Sequence, residues 1–475
     1  MSISADVLRS YRSIDEKTVD KLLAQEIKNN NKKIVVLDDD PTGVQTVHDI
    51  SVYTGWDADS LREAFAEENN LFYILTNSRG FTEEQTKAAH LEIADAVDKA
   101  AKEASRDYIF ISRSDSTLRG HYPLETRLLK ECYERNTGVK LDGEILCPFF
   151  KEGGRYTIGN VHYVKYGDEL VPAHETEFAK DKTFGYTAEN LPDYVEEKTA
   201  GEYKAKDVIS ISLEDIRSMD FDKIESQLMS AKNFNKIIVN AIDYSDIKVF
   251  AVALFRAMNA GKMFMFRTAA ALVKVMGGVS DMPLLTRSDM IVNETENGGI
   301  IVVGSHTAKT TSQLECLKEI ADIEFIELDA NLVRDEEGFA NEVDRCLALE
   351  GEYIKSGKTV CCYTSRSLVV ANTGDKEDEL RLSVRISDAV QSLVGRLVVT
   401  PSFVVAKGGI TSSDVGVKAL KVKRATVLGQ IKPGIPVWQT GSESKFPNTP
   451  YVIFPGNVGE ATTLREAVEE LMNKR

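Results

Sequence analysis

Short apolar runs alternate with longer segments of helical period along almost the whole chain, and this alternation restricts the fold more than any other feature. In the first half the runs are KIVVLD, ISVYT, LFYILT, DYIFIS, EILCPFF, DVISIS, KIIVNAI and KMFMFR. In the second half they are GIIVVG, FIEL, TVCCYT, SFVVAKGG and YVIFPGN. Continuous apolar runs separated by helices predict mainly parallel sheets that are covered by helices. The predicted fold class is therefore α/β.

Chain length and one turn-rich segment predict two domains. A chain of 475 residues is too long for one ordinary hydrophobic core. Residues 277–299, GGVSDMPLLTRSDMIVNETENGG, are rich in turn formers and have no clear period. We place the boundary there, which gives two α/β domains, residues 1–285 and 286–475, with a ligand expected in a cleft between them. Residues 148–205 also lack a period and are expected to cover a site or an edge as loops and short hairpins.

Charge and hydropathy restrict the partners of the chain. The formal net charge of -16 disfavours nucleic acid and anionic membrane surfaces, which need a basic field. No apolar run has the length of a signal-peptide core or a membrane span, so we expect a cytoplasmic protein that does not bind membranes. Its six cysteines lie in apolar segments without CxxC spacing and are expected to be core residues. Exposed sheet edges make a homodimer a further expectation.

Three adjacent aspartates follow the first long apolar run. The stretch IVVLDDDPTGVQT, residues 34–46, places Asp38, Asp39 and Asp40 side by side at a strand end. Their mutual repulsion is tolerable only where a metal, a cation or a bound hydroxyl compensates it. The stretch therefore predicts a ligand at this strand end.

A second polar cluster follows the run YIFI. Residues 112–122, SRSDSTLRGHY, combine hydroxyls, a carboxylate and a guanidinium in a few positions. That combination suits a polyhydroxylated acid, because arginine binds a carboxylate in a fork while aspartate and serine bind hydroxyls. Arg79 of TNSRG and Arg155 of GGR could join the same site. A helix N-cap cluster with a surface arginine would produce the same pattern.

In the second half three strand ends run into glycine and then into a helix. They are VVGSHTAKTTSQL (302–314), VVAKGGITSSDVGVKAL (404–420) and IFPGNVGEATTLREAV (453–468). Glycine lets the backbone approach an oxyanion closely, and a helix N-terminus offers free N–H groups. Three such ends on one sheet edge would hold a polyphosphate, although each alone is also an ordinary turn. The P-loop-like GEYIKSGKT (351–359) follows a helix and precedes a strand, so Gly357 is predicted to be a helix C-cap instead.

The aspartate run allows two interpretations. The spacing Asp38-x-Asp40-x-Thr42 resembles the opening motif of haloacid dehalogenase phosphatases, in which Asp38 would be the nucleophile and Asp40 the acid/base, both binding magnesium. Asp243 and Asp246 are then the best candidates for the later acidic pair. This interpretation leaves the three glycine-rich strand ends without a role.

The second interpretation takes DDPTG and SDSTLRG together. With NSRG, GGRYTIGNVHYV, HETEFAKD, VVGSHTAKTTSQL, TSR, KGGITSSDV and FPGNVG they form an ordered set that runs almost from end to end. As a set they resemble the four-carbon acid sugar kinase family, which phosphorylates tetronate-type sugar acids with ATP. The resemblance implies an N-terminal sugar-acid-binding domain and a C-terminal nucleotide-binding domain.

The resemblance also implies roles for particular residues. Asp39 and Asp40 would hold the acceptor hydroxyl, one of them as general base, and Mg²⁺ would bridge the ATP phosphates, with its protein ligands left open. The sugar acid is expected at Thr42, Arg79, Ser114, Asp115, Ser116, Arg119, Gly120 and Arg155. The nucleotide is expected at Gly304, Ser305, Gly408, Gly409, Thr411, Gly456, Asn457 and Gly459.

Overall fold

The computed structural model describes residues 2–366, 376–456 and 458–473. Its strands are β1 (Ile3–Ser4), β2 (Lys33–Asp38), β3 (Ile50–Tyr53), β4 (Leu71–Leu75), β5 (Tyr108–Arg113), β6 (Gly143–Cys147), β7 (Arg155–Ile158), β8 (Val161–Tyr166), β9 (Glu169–Pro172), β10 (Ile209–Ile211), β11 (Asn235–Val239), β12 (Phe264–Thr268), β13 (Ile300–Val303), β14 (Ile323–Leu328), β15 (Thr359–Thr364), β16 (Val404–Lys407), β17 (Arg424–Lys432), β18 (Ile435–Thr440) and β19 (Pro450–Phe454).

Its α-helices are α1 (Glu16–Asn29), α2 (Ala58–Ala66), α3 (Glu83–Glu103), α4 (Leu124–Thr137), α5 (Leu191–Lys198), α6 (Leu213–Arg217), α7 (Phe221–Ser230), α8 (Tyr244–Asn259), α9 (Ala270–Met276), α10 (Arg287–Met290), α11 (Ala308–Leu317), α12 (Glu336–Lys355), α13 (Lys376–Gly395), α14 (Gly409–Asp414) and α15 (Thr463–Met472).

The chain forms two compact units, and the first contains Met1–Gly43 and Gly55–Asp281. Its main sheet has seven parallel strands in the order β10, β11, β6, β12, β5, β2 and β4. Both β2 and β5 are buried along their whole length, as expected for central strands of a covered parallel sheet. The helices pack in two groups, one with α2, α3 and α4 and the other with α1 and α6 to α9. This is the predicted α/β architecture.

Residues 148–205, which have no clear sequence period, form a smaller structure within the first unit. Strands β7, β8 and β9 form an antiparallel sheet that the N-terminal strand β1 joins next to β9. Helix α5 follows this sheet in the chain. Its buried face joins a cluster that contains Val164, Tyr186 and Tyr194 together with Leu118 and Leu146 of the main sheet region. The segment therefore covers the end of the main sheet, in agreement with the predicted short hairpins.

The second unit contains Val44–Thr54 and Met282–Arg475. Its sheet runs in the order β3, β17, β18, β19, β16, β13, β15 and β14, and the last five strands are mutually parallel. The sequence division at residue 285 assigned Val44–Thr54 to the N-terminal domain. In the structure β3 instead pairs antiparallel with β17, from Arg424 opposite Tyr53 to Val427 opposite Ile50, which groups the segment with the second unit.

Several local predictions are confirmed. Each of the three predicted segments in which a strand runs into glycine and then a helix is found, as β13 with α11, β16 with α14 and β19 with α15. Gly357 follows the end of α12 with φ +88°, and its N–H donates to the carbonyl of Ile354, so it terminates the helix as predicted. All cysteines except the half-buried Cys316 are buried, and each is a free thiol. In the described residues no helix is long and apolar enough to cross a bilayer.

Candidate active site

Strand register brings charged residues from distant parts of the sequence to the carboxyl edge of the first unit's main sheet. Asp38, the last residue of β2, lies opposite Arg113 of β5, and Arg113 lies opposite Thr268 of β12. The backbone N–H of Asp39 donates to the carbonyl of Arg113 at 3.2 Å. We call the group formed by Asp38, Asp39, Asp40, Asp115 and their arginine partners the aspartate edge.

Asp38 is buried beneath the turn that follows it. Its carboxylate accepts a hydrogen bond from Arg113 Nη1 at 3.0 Å, and the residue is 1% exposed. A Cβ on Gly43 would lie 1.9 Å from Asp38 Oδ2, so the turn approaches the carboxylate as closely as only glycine permits. Burial raises the pKa of Asp38 to about 7 against the opposing effect of Arg113. Asp38 is therefore placed as a buried partner of Arg113.

Asp39 and Asp40 share one arginine. Arg79 Nη2 and Nε donate to Asp39 at 2.6 and 3.2 Å, and Arg79 Nη1 donates to Asp40 Oδ2 at 3.1 Å. The other oxygen of Asp40 accepts from the backbone N–H and hydroxyl of Thr42 at 2.8 and 2.5 Å. The side chain of Asp39 is 2% exposed and that of Asp40 is 16% exposed. Asp40 is thus the more accessible of the two carboxylates.

The two carboxylates differ in pKa. Burial raises the pKa of Asp39 in spite of its pairing with Arg79. Burial acts on Asp40 in the same direction, but Arg79 and the two Thr42 donors outweigh it and lower the pKa of Asp40 below its ordinary value. Asp40 is therefore held as an ionised hydrogen-bond acceptor at neutral pH.

Asp115 organises the loop that follows β5. Its Oδ2 accepts from the N–H of Thr117 at 3.2 Å and from Arg119 Nε at 2.8 Å, while Oδ1 accepts from Arg119 Nη2 at 3.1 Å. Arg79 Nη1 lies 3.9 Å from Asp115 Oδ1, which connects this loop to Asp39 and Asp40. Burial alone would raise the pKa of Asp115, but Arg79 and Arg119 outweigh it and lower the value. Most of the hydrogen-bonding capacity of Asp115 is thus used by its own loop.

Four consecutive backbone carbonyls of that loop, at residues 116–119, each accept a hydrogen bond from a buried side chain elsewhere in the first unit. The donors to these carbonyls, in order, are His162 Nε2, Tyr186 Oη, Tyr194 Oη and Arg267 Nη2, at 2.7, 3.4, 3.0 and 3.2 Å. Burial lowers the pKa of His162 to about 4, so the ring is neutral and donates from Nε2. Three of the four donors belong to residues 148–205, so this segment fixes the shape of the loop.

Ser114, Asp115, Tyr194, Arg267 and Thr268 line part of a small cavity at the same edge. Beneath the loop, Arg267 Nη1 donates to Glu125 Oε2 at 2.5 Å. At about 10 Å³ the cavity has room for roughly one water molecule, and its lining includes hydroxyl, carboxylate and guanidinium groups.

Two further predicted residues have specific surroundings. Gly120 has φ +120°, and a Cβ there would lie 2.7 Å from Arg267 Nη2 and 3.2 Å from Asp39 Oδ2, so glycine is required at this close approach. Arg155 is half-buried, its guanidinium lies 5.4 Å from the ring centroid of Phe178, and its Nε has no hydrogen-bond partner among the described residues. Arg119 lies 5.1 Å from the same ring. The structure therefore brings Arg155 and Arg119 to one aromatic side chain.

The glycine-rich strand ends of the second unit also come together, and we call Gly304, Gly408 and Gly456 with their neighbours the glycine edge. A Cβ on Gly304 would lie 2.4 Å from Thr411 Oγ1. Gly408 has φ +121°, and a Cβ there would lie 3.3 Å from Ser305 Cβ. A Cβ on Gly456 would lie 4.0 Å from the Cα of Gly408. The three loops thus pack together, at distances that favour glycine for Gly304 and Gly408 and at ordinary contact distance for Gly456.

The other predicted residues of this group are placed as follows. Gly409 is the first residue of α14, and Gly459 has φ +82° with its carbonyl accepting from Lys309 Nζ at 3.2 Å. Thr307 N-caps α11 through its hydroxyl, which accepts from the N–H of Thr310. Asn457 lies outside the described residues.

Two cations at the glycine edge were not predicted from the sequence. Arg366, just after β15, donates to the carbonyl of Ser305 at 2.7 Å and to Thr364 Oγ1 at 2.8 Å. Lys407, the last residue of β16, is 0% exposed and donates to the carbonyl of Pro455 at 2.6 Å. The signal that could have found Lys407 is a charged residue at the end of an otherwise apolar run, which Arg113 and Arg267 also show.

The acidic pair that the phosphatase interpretation needs, Asp243 and Asp246, is engaged by other partners in the first unit. Asp246 accepts from the backbone N–H groups of Ile242 and Asp243 at 2.8 Å and pairs with Arg217, so it serves the N-terminus of α8. Asp243 pairs with Lys151 at 2.7 Å. Across the described ranges no group of three or more His, Cys, Asp or Glu is arranged to hold a metal ion. The predicted use of Asp38 as a nucleophile also conflicts with its burial.

Comparison with known proteins identifies both halves. A family model described as a sugar-binding N-terminal domain matches residues 34–276, slightly more than half of the chain. A second model, described as a nucleotide-binding C-terminal domain, matches residues 300–464. Neither model supports the phosphatase interpretation. No curated protein matches the chain.

Two solved structures share the fold. Haemophilus influenzae protein HI1011, of family DUF1537, matches with a TM-score of 0.58 at 18% identity, covering 92% of this chain and 100% of that chain. A protein from Salmonella typhimurium LT2 described as a putative tRNA synthase matches with a TM-score of 0.61 at 13% identity, covering 92% and 99%. At these identities the likeness concerns the fold. The two domain matches, in their order, place the chain in the four-carbon acid sugar kinase family.

Proposed function

We propose that the protein is an ATP-dependent kinase that phosphorylates a hydroxyl group of a four-carbon sugar acid of the threonate, erythronate or 2-oxo-tetronate class. The observation that supports this most directly is the match of a sugar-binding model to the unit with the aspartate edge and of a nucleotide-binding model to the unit with the glycine edge. Phosphoryl transfer needs an oriented acceptor hydroxyl and charge neutralisation at the phosphates. The aspartate edge is chemically suited to the first task and the glycine edge to the second.

At the aspartate edge Asp40 would contact the acceptor hydroxyl. Its carboxylate is the more exposed of the pair and is held ionised by Arg79 and Thr42. A weakly basic carboxylate can orient the hydroxyl and accept its proton as the bond to phosphorus forms. In a loose transition state this proton transfer comes late, so a strong base is not required. Asp39 is nearly enclosed, and we assign it the positioning of Arg79, through which it acts on Asp40.

The acid group of the substrate needs a cation that is not already neutralised. Arg79 is shared by Asp39 and Asp40, and Arg119 is bound to Asp115 in a fork. Arg155 has an unpartnered Nε within the described residues and stacks near Phe178. We therefore assign the substrate carboxylate to Arg155, with Ser114 and Ser116 left for its hydroxyls.

At the glycine edge the nucleotide phosphates would meet Gly304, Ser305 and Gly408, with Thr411 and Gly456 beside them. Close backbone approach and the N-terminus of α11 suit phosphate oxygens. Magnesium fits this chain as an ion carried by the nucleotide, because it binds mainly to phosphates and water in such sites. When bound there it would neutralise charge on the phosphates.

The homodimer and the cytoplasmic location remain predictions.

The proposal is tested by incubating the purified protein with MgATP and a panel of threonate, erythronate and 2-oxo-tetronate stereoisomers, with ADP formation as the measurement. We expect acceptor-dependent ADP formation with at least one of these acids. No activity across the panel would remove the main support for the proposal. Hydrolysis of an aryl phosphate without ATP, abolished by Asp38→Asn, would instead revive the phosphatase interpretation.

A further inference from the structure

Lys407 is a buried cation at the glycine edge that has no counter-ion among the described residues. Its ammonium group donates to the carbonyls of Pro455 at 2.6 Å and Gly456 at 3.3 Å, and lies 4.2 Å from the ring centroid of Phe454. Two of its three N–H groups are therefore accounted for, and both reach neutral acceptors. No carboxylate among the described residues forms an ion pair with it. An uncompensated buried charge is costly unless something supplies the opposite charge.

The position of Lys407 connects it to the three glycine loops. In the sheet it lies between Val303 of β13 and Phe454 of β19, and each of these residues immediately precedes a loop of the glycine edge. Lys407 itself is followed by Gly408. The ammonium group is thus held at the carboxyl edge of the sheet, under the loops and not within the hydrophobic interior.

The charges around Lys407 do not offset it. Among the elements packed beside it, β13 contains only isoleucine and valine, and Tyr451 on β19 donates its hydroxyl to the carbonyl of Ser412. Asp414 on α14 pairs with Lys418. Among the described residues, the charge that bears most on Lys407 is that of Lys309 of α11, a second cation. Burial first, and then Lys309, lowers the pKa of Lys407 to about 7.

Two other lysines in the described residues are equally buried and show what a structural role looks like. Lys236 pairs with the carboxylate of Glu144. Lys33 donates to the carbonyls of Glu67 and Asn69, much as Lys407 does, but it lies at the amino end of β2, away from the aspartate edge. Burial and then Arg106 lower the pKa of Lys33 to about 8, with Glu67 acting in the opposite direction. Carbonyl contacts and a neighbouring cation therefore do not single out Lys407, whereas its place among the three loops of the glycine edge does.

We propose that Lys407 is the charge partner of the nucleotide phosphates, so that anion binding at the glycine edge stabilises its ammonium form. This inference rests on the proposed function, because it assigns the nucleotide to this edge. In those protein molecules in which Lys407 is neutral, nucleotide binding then transfers a proton from the buffer to Lys407 Nζ. The expected consequence is that affinity for a phosphate-bearing nucleotide falls as the pH rises above 7, whereas affinity for adenosine does not.

Isothermal titration calorimetry of the full-length protein with ADP and with adenosine tests this, at pH 8 in Hepes and in Tris, which differ in ionisation enthalpy. For the wild type we expect the ADP enthalpy to differ between the buffers, as proton uptake requires. For Lys407→Met we expect ADP affinity to fall about 10- to 100-fold, the size of one charged hydrogen bond, with adenosine affinity unchanged. For Lys407→Arg, which keeps a permanent charge, we expect ADP binding without proton uptake.

Lys33→Met is the matched control, since it removes similar carbonyl contacts in the other unit and should leave ADP affinity unchanged. An equal loss of ADP affinity in Lys33→Met would show a general effect of stability and overturn the inference. Wild-type enthalpies that agree in the two buffers, or Lys407→Met binding ADP normally, would also overturn it while leaving the kinase proposal standing. A wild type that binds neither ADP nor ATP would remove both.

Discussion

The aspartate edge and the glycine edge occupy the same position in two similar sheets but compensate charge in opposite ways. At the aspartate edge each carboxylate has an arginine: Asp38 has Arg113, Asp39 and Asp40 have Arg79. At the glycine edge Lys407 and Arg366 reach backbone carbonyls and hydroxyls and form no carboxylate pair among the described residues. Before any ligand arrives, the four carboxylates of the first edge are largely compensated by three arginines, whereas the second edge carries positive charge that no described carboxylate compensates.

This difference indicates which kind of ligand each edge can bind. A set of largely compensated ion pairs offers directional hydrogen bonds to a neutral hydroxyl without a large net field. Uncompensated cations next to closely packed glycines favour a ligand with several negative charges. Because the chain as a whole has a net charge of -16, such a ligand needs cations close to its binding site. The three adjacent aspartates, whose mutual repulsion has to be compensated, are thus stabilised largely by arginines of the same unit.

The largest effect is expected from Arg79→Met, which removes the partner of two nearly buried carboxylates. We expect turnover to fall by about three orders of magnitude or more, and the free energy of unfolding to fall by about 3–5 kcal/mol, because uncompensated charge is left in the interior. Steady-state kinetics and urea unfolding measure both. The control is Arg62→Met, whose exposed pairs with Asp59 and Glu103 should contribute no more than about 1 kcal/mol. Equal unfolding free energies for the two variants would refute the description of Arg79 as the compensating charge of this edge.

Asp40→Asn tests whether the two edges have separate tasks. It keeps the size of the side chain but removes the charged acceptor, so we expect turnover to fall about 10²- to 10⁴-fold with ADP affinity unchanged. Asp39→Asn should also reduce turnover strongly, since it releases Arg79. A loss of ADP affinity in either variant would mean that the functions have been assigned to the wrong units.

Arg366→Gln tests whether the glycine edge binds the nucleotide and not the acceptor. The substitution removes a half-buried cation that holds the carbonyl of Ser305, so we expect ADP affinity to fall about tenfold while the KM for the acceptor stays the same. Equilibrium binding of ADP and acceptor kinetics are the measurements. Arg396→Gln, which removes an exposed pair with Asp344, is the control and should change neither quantity.

A buried carboxyl without an arginine predicts a pH effect in the second unit. Glu350 is 0% exposed, accepts from Cys362 Sγ at 2.6 Å, and has no partner for Oε2 among the described residues. Burial raises its pKa to about 8 from an ordinary 4.5, so folding favours the protonated form. Stability from this group is complete below pH 4.5 and is lost as the pH rises to about 8.

The variant Glu350→Gln should therefore be more stable than the wild type at pH 8, by about 1–3 kcal/mol, and nearly equal to it at pH 4.5. Thermal unfolding at the two pH values measures the difference. A wild type whose stability does not fall over this range relative to the variant would contradict the prediction.

The smallest effect is expected from Tyr194→Phe. The lost hydroxyl holds the carbonyl of Leu118 at 3.0 Å, so the loop around Asp115 loosens; we expect the acceptor KM to rise about fivefold and stability to fall by about 1 kcal/mol. Tyr186→Phe removes the longer contact of 3.4 Å and should have less effect. An equal change in the acceptor KM of both variants would argue against the proposal that the Tyr194 hydrogen bond fixes the conformation of this loop.

Much of the fold follows from local sequence. Buried strands such as β2, β4 and β15 coincide with continuous apolar runs, because such runs have few alternatives to burial in a parallel sheet. The hairpin β17–β18 was not predicted, although Lys432, Pro433 and Gly434 between two strand-like runs are a hairpin signal. Its strand β17 alternates between buried and half-buried residues, a weaker pattern than a continuous run.

The sequence by itself determined the residue types available for chemistry: consecutive aspartates, hydroxyl and arginine clusters, and glycines at strand ends, each in a short continuous motif. Only the tertiary structure decided which charges are compensated. Arg113 meets Asp38, and Lys407 meets Pro455, through strand register between segments far apart in the chain. Periodicity is a local property that a sequence displays directly, whereas an ion pair depends on the distance between two atoms, and that distance is set by the packing of the whole unit.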